Sequence, residues 1–258
     1  VPPIVARWLG RVPYREALDL QHRLHAARVA GRVPDTLLLL EHEPVLTLGR
    51  RADEAFVRAK PRELRRRGIE VVRVERGGEV TYHGPGQLVA YPILRLGDRG
   101  LLLRPLVRAL EAAMIATCVA LGVDDADRRD GQPGCWVALA TPAPRKIGAL
   151  GLRVERGATY HGIALNVSVD LADFDLIDAC GLPGVVSTSI AAEVGRTAEP
   201  PTTASVARAA AIFAGALAAD LGASLDGALP PDADPAAERA AVERVAAEWV
   251  AAESTLLS

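Results

Sequence analysis

The chain is poor in several residue types, and each shortage excludes something. It has three cysteines in 258 residues, Cys118, Cys135 and Cys180, odd in number and widely spaced. No disulfide framework follows from such a set, and no pair has the C-x-x-C spacing of structural zinc, so a reducing compartment is expected. No run of about 18 apolar residues suggests a membrane span. The segment Val1-Pro2-Pro3-Ile4-Val5-Ala6-Arg7 lacks the charged and apolar regions of a signal peptide. These absences point to the cytoplasm. Aromatic residues make up 4% of the chain, none interleaved with basic runs, and the isoelectric point is near 6.3, so nucleic acid is not an expected partner.

Lysine is scarcer still. Of 30 basic residues only Lys60 and Lys146 are lysines. Arginine is the default cation here, and what lysine offers beyond it is a proton it can lose. Lys60 precedes a surface helix and reads as solvated charge. Lys146 opens an apolar strand, a better place for a working amine. Net charge is −2, unevenly spread: +5 over residues 1–80, +3 over 81–166 and −10 over 167–258. Arg50, Arg51, Arg62, Arg65, Arg66 and Arg67 are candidates for a basic rim facing an acidic partner, although mixed solvated faces account for most such patterns.

Half of the residues are hydrophobic, enough for one large core. Apolar spacing predicts a helix from Tyr14 to Ala30, stopped by Gly31, and a second from Leu103 to Leu121, ended by Gly122. A short helix over Pro61–Arg67 opens on proline and closes on Gly68. Strands are expected at 36–41, 45–48, 69–74, 80–83, 88–91, 136–139, 147–154 and 159–166, the last two joined by a turn at Glu155-Arg156-Gly157-Ala158. A helix follows around Val206–Leu221. We read residues 1–222 as the catalytic domain and 223–258 as a linker with a C-terminal helical tail, in which Asp234 caps a helix starting at Pro235. Strand runs mixed with separate helices imply an α+β fold.

The densest chemistry lies in Arg76-Gly77-Gly78-Glu79-Val80-Thr81-Tyr82-His83-Gly84-Pro85-Gly86-Gln87, a glycine loop between strands that lets a ligand approach the main chain. It lacks the G-x-x-x-x-G-K-[ST] pattern of a P-loop. Lys146 and the Gly148–Gly151 strand form a second segment, and Leu176 to Gly184, with Cys180, a third. Cys118 and Cys135 sit in apolar registers and read as core thiols. Cys180 is either a nucleophile or one more buried thiol. His83 either transfers a proton or braces its loop. Glu41-His42-Glu43 is no metal cluster, because on a strand His42 faces away from both carboxylates.

The loop, continued to Tyr91-Pro92, resembles the lipoyl(octanoyl) transferases. So do His42 to Arg50, Lys146-Ile147, Gly151-Leu152-Arg153, His161 to Asn166, Cys180-Gly181 and Thr188-Ser189, in order from Leu38 to Ile190. The resemblance implies a biotin/lipoyl protein ligase-like α+β domain, a mixed β-sheet flanked by helices. It implies octanoyl transfer from octanoyl-acyl carrier protein to a lysine of lipoyl domains, those of 2-oxoacid dehydrogenase complexes and the glycine cleavage H protein, in lipoate biosynthesis and protein lipoylation. No cofactor, metal, nucleic acid or membrane is implied. Cys180 and Lys146 would be catalytic. Arg76, Gly77, Gly78, Glu79, Val80, Thr81, Tyr82, His83, Ala149, Leu150, Gly151, Gly162, Ile163 and Ala164 would bind the acyl substrate. Two positions depart from the family pattern: Ala179 stands where proline often precedes the cysteine, and Gly148 where another small residue is common. The alternative is an ATP-dependent lipoate or biotin ligase of the same fold, which needs no cysteine nucleophile; a non-catalytic acyl-binding module is the other contender.

Overall fold

The computed structural model describes residues 2–178, 185–197 and 206–256. The strand Thr36–His42 (β2) explains the architecture. Five of its seven residues, Thr36 to Leu40, are buried in succession, as a strand covered on both faces must be. It lies inside a nine-stranded mixed sheet built with Ile4–Val12 (β1), Gln87–Ile93 (β6), Asp127–Arg129 (β7), Gln132–Val137 (β8), Arg145–Glu155 (β9), Ala158–Asn166 (β10), Val186–Ser187 (β11) and Leu225–Asp226 (β12). The order is β12-β1-β2-β6-β10-β9-β8-β7, with β11 beside β9. The β1 pairs with β2 and β12 are parallel, as is β9 with β11; β2-β6-β10-β9-β8-β7 is antiparallel throughout.

Helices cover both faces. Leu103–Ala120 (α3) and Val206–Asp220 (α5) pack on one, where Leu37, Leu39, Leu88, Met114, Leu165 and Phe213 share a core. Tyr14–Val29 (α1) and Pro235–Leu256 (α6) cover the other, with Leu20, Leu24, Leu38, Leu40, Val89 and Val242 buried together. Burying such a leucine is worth roughly 1.5–3 kcal/mol, so the two cores outweigh any local propensity. A second sheet, β4-β3-β5, is formed by Val45–Leu48 (β3), Glu70–Arg73 (β4) and Val80–His83 (β5). Its core holds Leu46, Leu48, Val80, Tyr82, Val169 and Leu176. Pro61–Arg67 (α2) ends where Gly68 turns left-handed, and Ile190–Thr197 (α4) follows β11.

The turn from β9 to β10 has positive φ at both Arg156 and Gly157, the pattern of a type I′ hairpin. Residues 223–256 contribute β12 to the edge of the main sheet and α6 to its α1 face. Asp234 accepts from the Ala236 amide at 2.9 Å, and Glu238 pairs with Arg7 on β1 at 2.8 Å. Cys118 and Cys135 are buried, and Cys135 beside it pushes the Cys118 thiol well up, with burial adding to the effect. Among the described residues no helix is long and apolar enough to cross a membrane.

Candidate active site

The glycine loop closes over the main sheet because three positions have no side chain. A Cβ at Gly49, at the end of β3, would overlap the Gly78 carbonyl, and one at Gly151 on β9 would come within 2.8 Å of the Gly77 oxygen. The Gly77 amide then donates to Leu152 O at 3.1 Å. Gly78 adopts φ +84°, which favours glycine. Arg76 ties this loop to β3. Its buried guanidinium donates to the Thr47 hydroxyl (2.8 and 3.3 Å), to Thr47 O (2.6 Å), to Gly77 O (3.1 Å) and to Glu79 O (2.8 Å).

Between loop and sheet lies a cavity of about 450 Å³. Ala149 and Gly151 on β9 oppose Ala164 and Gly162 on β10, a floor of small residues. Leu150, Ile163, Leu103, Val107 and Pro133 add apolar wall. Of the residues expected from sequence, Arg76, Gly77, Gly78, Glu79, Val80, Thr81, His83, Lys146, Ala149, Leu150, Gly151, Gly162, Ile163 and Ala164 line this one cavity. Tyr82 does not. Strand alternation turns it into the core of the small sheet, against Phe174, so its role is to seat β5. Cys180 falls outside the described residues.

Lys146 lies in the wall with its side chain largely buried. Its ammonium donates to Pro133 O at 3.2 Å and sits 5.1 Å from the centre of the Trp136 ring. Gly134, at φ +130°, leaves room for the lysine stem. The backbone of Lys146 holds the segment on the far side of the cysteine: Ser187 pairs with it across β11–β9, and the Thr188 amide donates to its carbonyl at 2.9 Å. Before the cysteine, the Asp178 amide donates to Phe56 O at 2.8 Å. Both flanks of residues 179–184 are thus tied down by main-chain bonds.

The inner end of the cavity is aromatic. Tyr14, His83, Tyr91 and His161 come from α1, β5, β6 and β10, and three of these were not singled out as site residues from sequence. His42 donates from Nδ1 to Val12 O (2.8 Å), which leaves Nε2 to accept from the Tyr91 hydroxyl at 2.7 Å. Burial holds its pKa down at about 4. His161 is held at about 3 by burial and then by the Arg76 cation, and its backbone is left-handed at φ 56°. A non-glycine residue in that region stores strain, a feature that clusters at functional sites. Burial, followed by the neighbouring charges of His42 and Arg76, pushes His83 well below its ordinary value, and burial raises Tyr14 to about 12.

His83 begins a buried chain of hydrogen bonds. Gln87 donates its amide to Tyr82 O (3.1 Å) and Asn166 Oδ1 (2.9 Å), so its oxygen faces His83 and accepts from Nδ1–H at 2.7 Å. His83 Nε2 then faces the Thr47 hydroxyl at 3.3 Å as an acceptor. Asn166 donates onward to Thr188 O at 2.8 Å, and the Thr188 hydroxyl donates to Glu193, which Arg145 grips with two bonds of 2.9 and 2.7 Å. The glycine-loop strand and the segment after the cysteine are therefore braced against each other through side chains. His83 is thus held neutral, its Nδ1–H given to Gln87 and its Nε2 lone pair facing the Thr47 hydroxyl.

Residues 13–211 match the lipoyl protein ligase A/B catalytic domain. The chain is 50% identical over 189 residues to an octanoyltransferase of Syntrophobacter fumaroxidans, covering 73% of this chain and 80% of that one. It is 48% identical over 194 residues to one of Acidobacterium capsulatum, covering 72% and 78%. Its fold is similar to a crystal structure of lipoate-protein ligase A bound with ATP, at a TM-score of 0.64 and 14% identity over 95% of this chain and 93% of the other. The α+β fold is that of the lipoate ligases, and the chain belongs to the octanoyltransferases within the lipoyl protein ligase A/B catalytic domain family, an acyltransferase.

Proposed function

We propose that the protein moves an octanoyl group from an acyl carrier protein thioester to a lysine of lipoyl domains, with Cys180 as the nucleophile and Lys146 as its proton partner. The observation that carries this is Lys146 itself. Its amine stands in the wall of an apolar slot, and its backbone holds the segment after the cysteine. A free cysteine with a pKa near 8.5 is mostly protonated at neutral pH, and an adjacent ammonium favours the thiolate.

The thiolate attacks the thioester carbonyl, and the carrier sulfur leaves with the proton of the Lys146 ammonium. The acceptor lysine, as the free amine, then attacks the acyl-cysteine. Neutral Lys146 takes its proton while the Cys180 thiolate departs, which restores the starting pair. Because the Gly77 amide is engaged by Leu152, Gly78 and the Cys180–Gly181 backbone are the remaining candidates for the oxyanion. The octanoyl tail would lie along Ala149, Gly151, Gly162 and Ala164 toward the aromatic end, each buried methylene contributing about 0.8 kcal/mol.

The alternative is an ATP-dependent ligase of the same fold, which would activate a free acid; a fold neighbour is a lipoate-protein ligase A bound with ATP. Incubation with an octanoyl thioester and no ATP, followed by intact mass and peptide mapping, separates the two. We expect one octanoyl adduct on Cys180, discharged by a lipoyl domain. Transfer that requires ATP and survives Cys180→Ala would establish the ligase chemistry instead.

A further inference from the structure

The start of α3 breaks local rules beside the cavity mouth. Its N-cap is Leu102, with no side chain capping the helix, and its first turn holds no acidic residue. Serine, threonine, aspartate or asparagine is strongly preferred there, and a cation in the first turn opposes the helix dipole. Yet Arg104 occupies that turn, exposed. Leu102 is 74% exposed and Leu103 44%, and Leu102 is the most exposed large apolar side chain among the described residues. Leu103 and Val107, one turn on, line the cavity with Lys146 and Pro133, so this apolar lip is continuous with the slot. Arg104 and Arg108 are exposed along the same helix. The hairpin opposite carries Arg128 and Arg129 beside Asp127 and Asp130.

We propose that the Leu102–Arg104 lip is where the lysine-bearing acceptor domain docks, presenting an apolar surface with an acidic rim. The inference rests on the proposed transferase chemistry. A lysine carries its amine on a stem of only four carbons. Whatever offers that amine to an acyl group beside Lys146 must rest its own backbone on the residues framing the mouth. A donor thioester on a long flexible arm has no such constraint. Exposed apolar side chains at a mouth, rimmed by charge, are the usual composition of such a contact. The sequence at this helix start trades local helix stability for that surface.

Leu102→Ser and Arg104→Glu test this, because both changes improve the helix by local rules and neither side chain lines the slot. Acylation by a small octanoyl thioester should proceed at the wild-type rate in both. The KM for a purified lipoyl domain should rise about fivefold to thirtyfold for Leu102→Ser, as for an interface hot spot. Its binding, titrated by fluorescence anisotropy, should weaken in parallel, and for Arg104→Glu the loss should fade at high salt. Unchanged acceptor KM and affinity would overturn the proposal, and so would an equal fall in both half-reactions. A wild-type enzyme that takes no acyl group from the thioester would sink the transferase chemistry instead, and the binding titration would still judge the lip.

Discussion

Replacing Thr47 by valine isolates the anchor of the glycine loop. Thr47 is fully buried, and its hydroxyl takes two bonds from Arg76 and faces His83. Valine keeps the shape and removes the oxygen. The Arg76 guanidinium retains its bonds to Thr47 O, Gly77 O and Glu79 O, so the charge stays partly satisfied. A hydrogen bond to a charged group is worth about 1.5–3 kcal/mol, and leaving the His83 side without a donor adds a smaller penalty. We expect Thr47→Val to lose about 2–4 kcal/mol, a fall in Tm of roughly 4–8 °C for a chain of this size. Thr47→Ser keeps the hydroxyl and should lose only the methyl group, about 1 kcal/mol. Urea unfolding of the three proteins, monitored by circular dichroism, measures both differences. Acylation by octanoyl thioester should slow in the valine variant, because the loop forms one wall of the slot. A valine variant as stable as the wild type, or less damaged than the serine variant, would refute the assignment of Thr47 as the loop's anchor.

The site leads to three further expected outcomes. His42 and His161 titrate at about 4 and about 3 in the folded chain, below the ordinary 6.5, so the unfolded chain binds their protons first as pH falls. Their stability contribution is intact above pH 6.5 and is lost progressively toward pH 4 and 3, reaching about 2 kcal/mol per histidine by pH 5; denaturant curves at pH 7.5 and 5.0 that coincide would contradict this. Ala164→Val narrows the slot floor, so decanoyl thioester should lose more acylation rate than hexanoyl thioester, by about fourfold per methylene displaced, whereas a uniform loss across chain lengths would place the chain elsewhere. Lys146→Arg keeps a cation that holds its proton. The carrier sulfur can still leave as a thiolate that takes its proton from water, so acyl-enzyme should form and accumulate, while transfer to a lipoyl domain, which needs a base, falls by about 100-fold or more; full turnover would remove Lys146 as the base.

Apolar spacing locates α1 and α3, and an opening proline locates α2; each ends where a glycine has a mechanical reason to stop it, since Gly31, Gly68 and Gly122 all adopt positive φ. The first strand is not legible in this way, although Ile4, Ala6 and Trp8 alternate inward, because Gly10 and Val12 break the pattern near its end. The strand expected to begin at Trp136 begins at Gln132, since proline and glycine there disguise a hairpin partner. The helix α6 is legible as a helix but not as a packed one. Its contact with β1 depends on Gly10, where a Cβ would press within 2.9 Å of Pro235. In the site, the glycine loop and Lys146 stand out by composition. Tyr14, Thr47, Tyr91 and the braces from Gln87 through Asn166 to Thr188 do not, because each is an ordinary residue whose partner lies on a different strand or helix. Their meaning arises only when the small sheet closes on the large one.

At that closure a main-chain bond runs from Gly77 to Leu152 on β9, with Arg76 holding the loop from behind. The Gly77 amide is therefore shielded only while the two sheets touch. Its hydrogen-exchange rate counts how often the glycine loop parts from β9, so that one proton reports on the opening of the cavity wall.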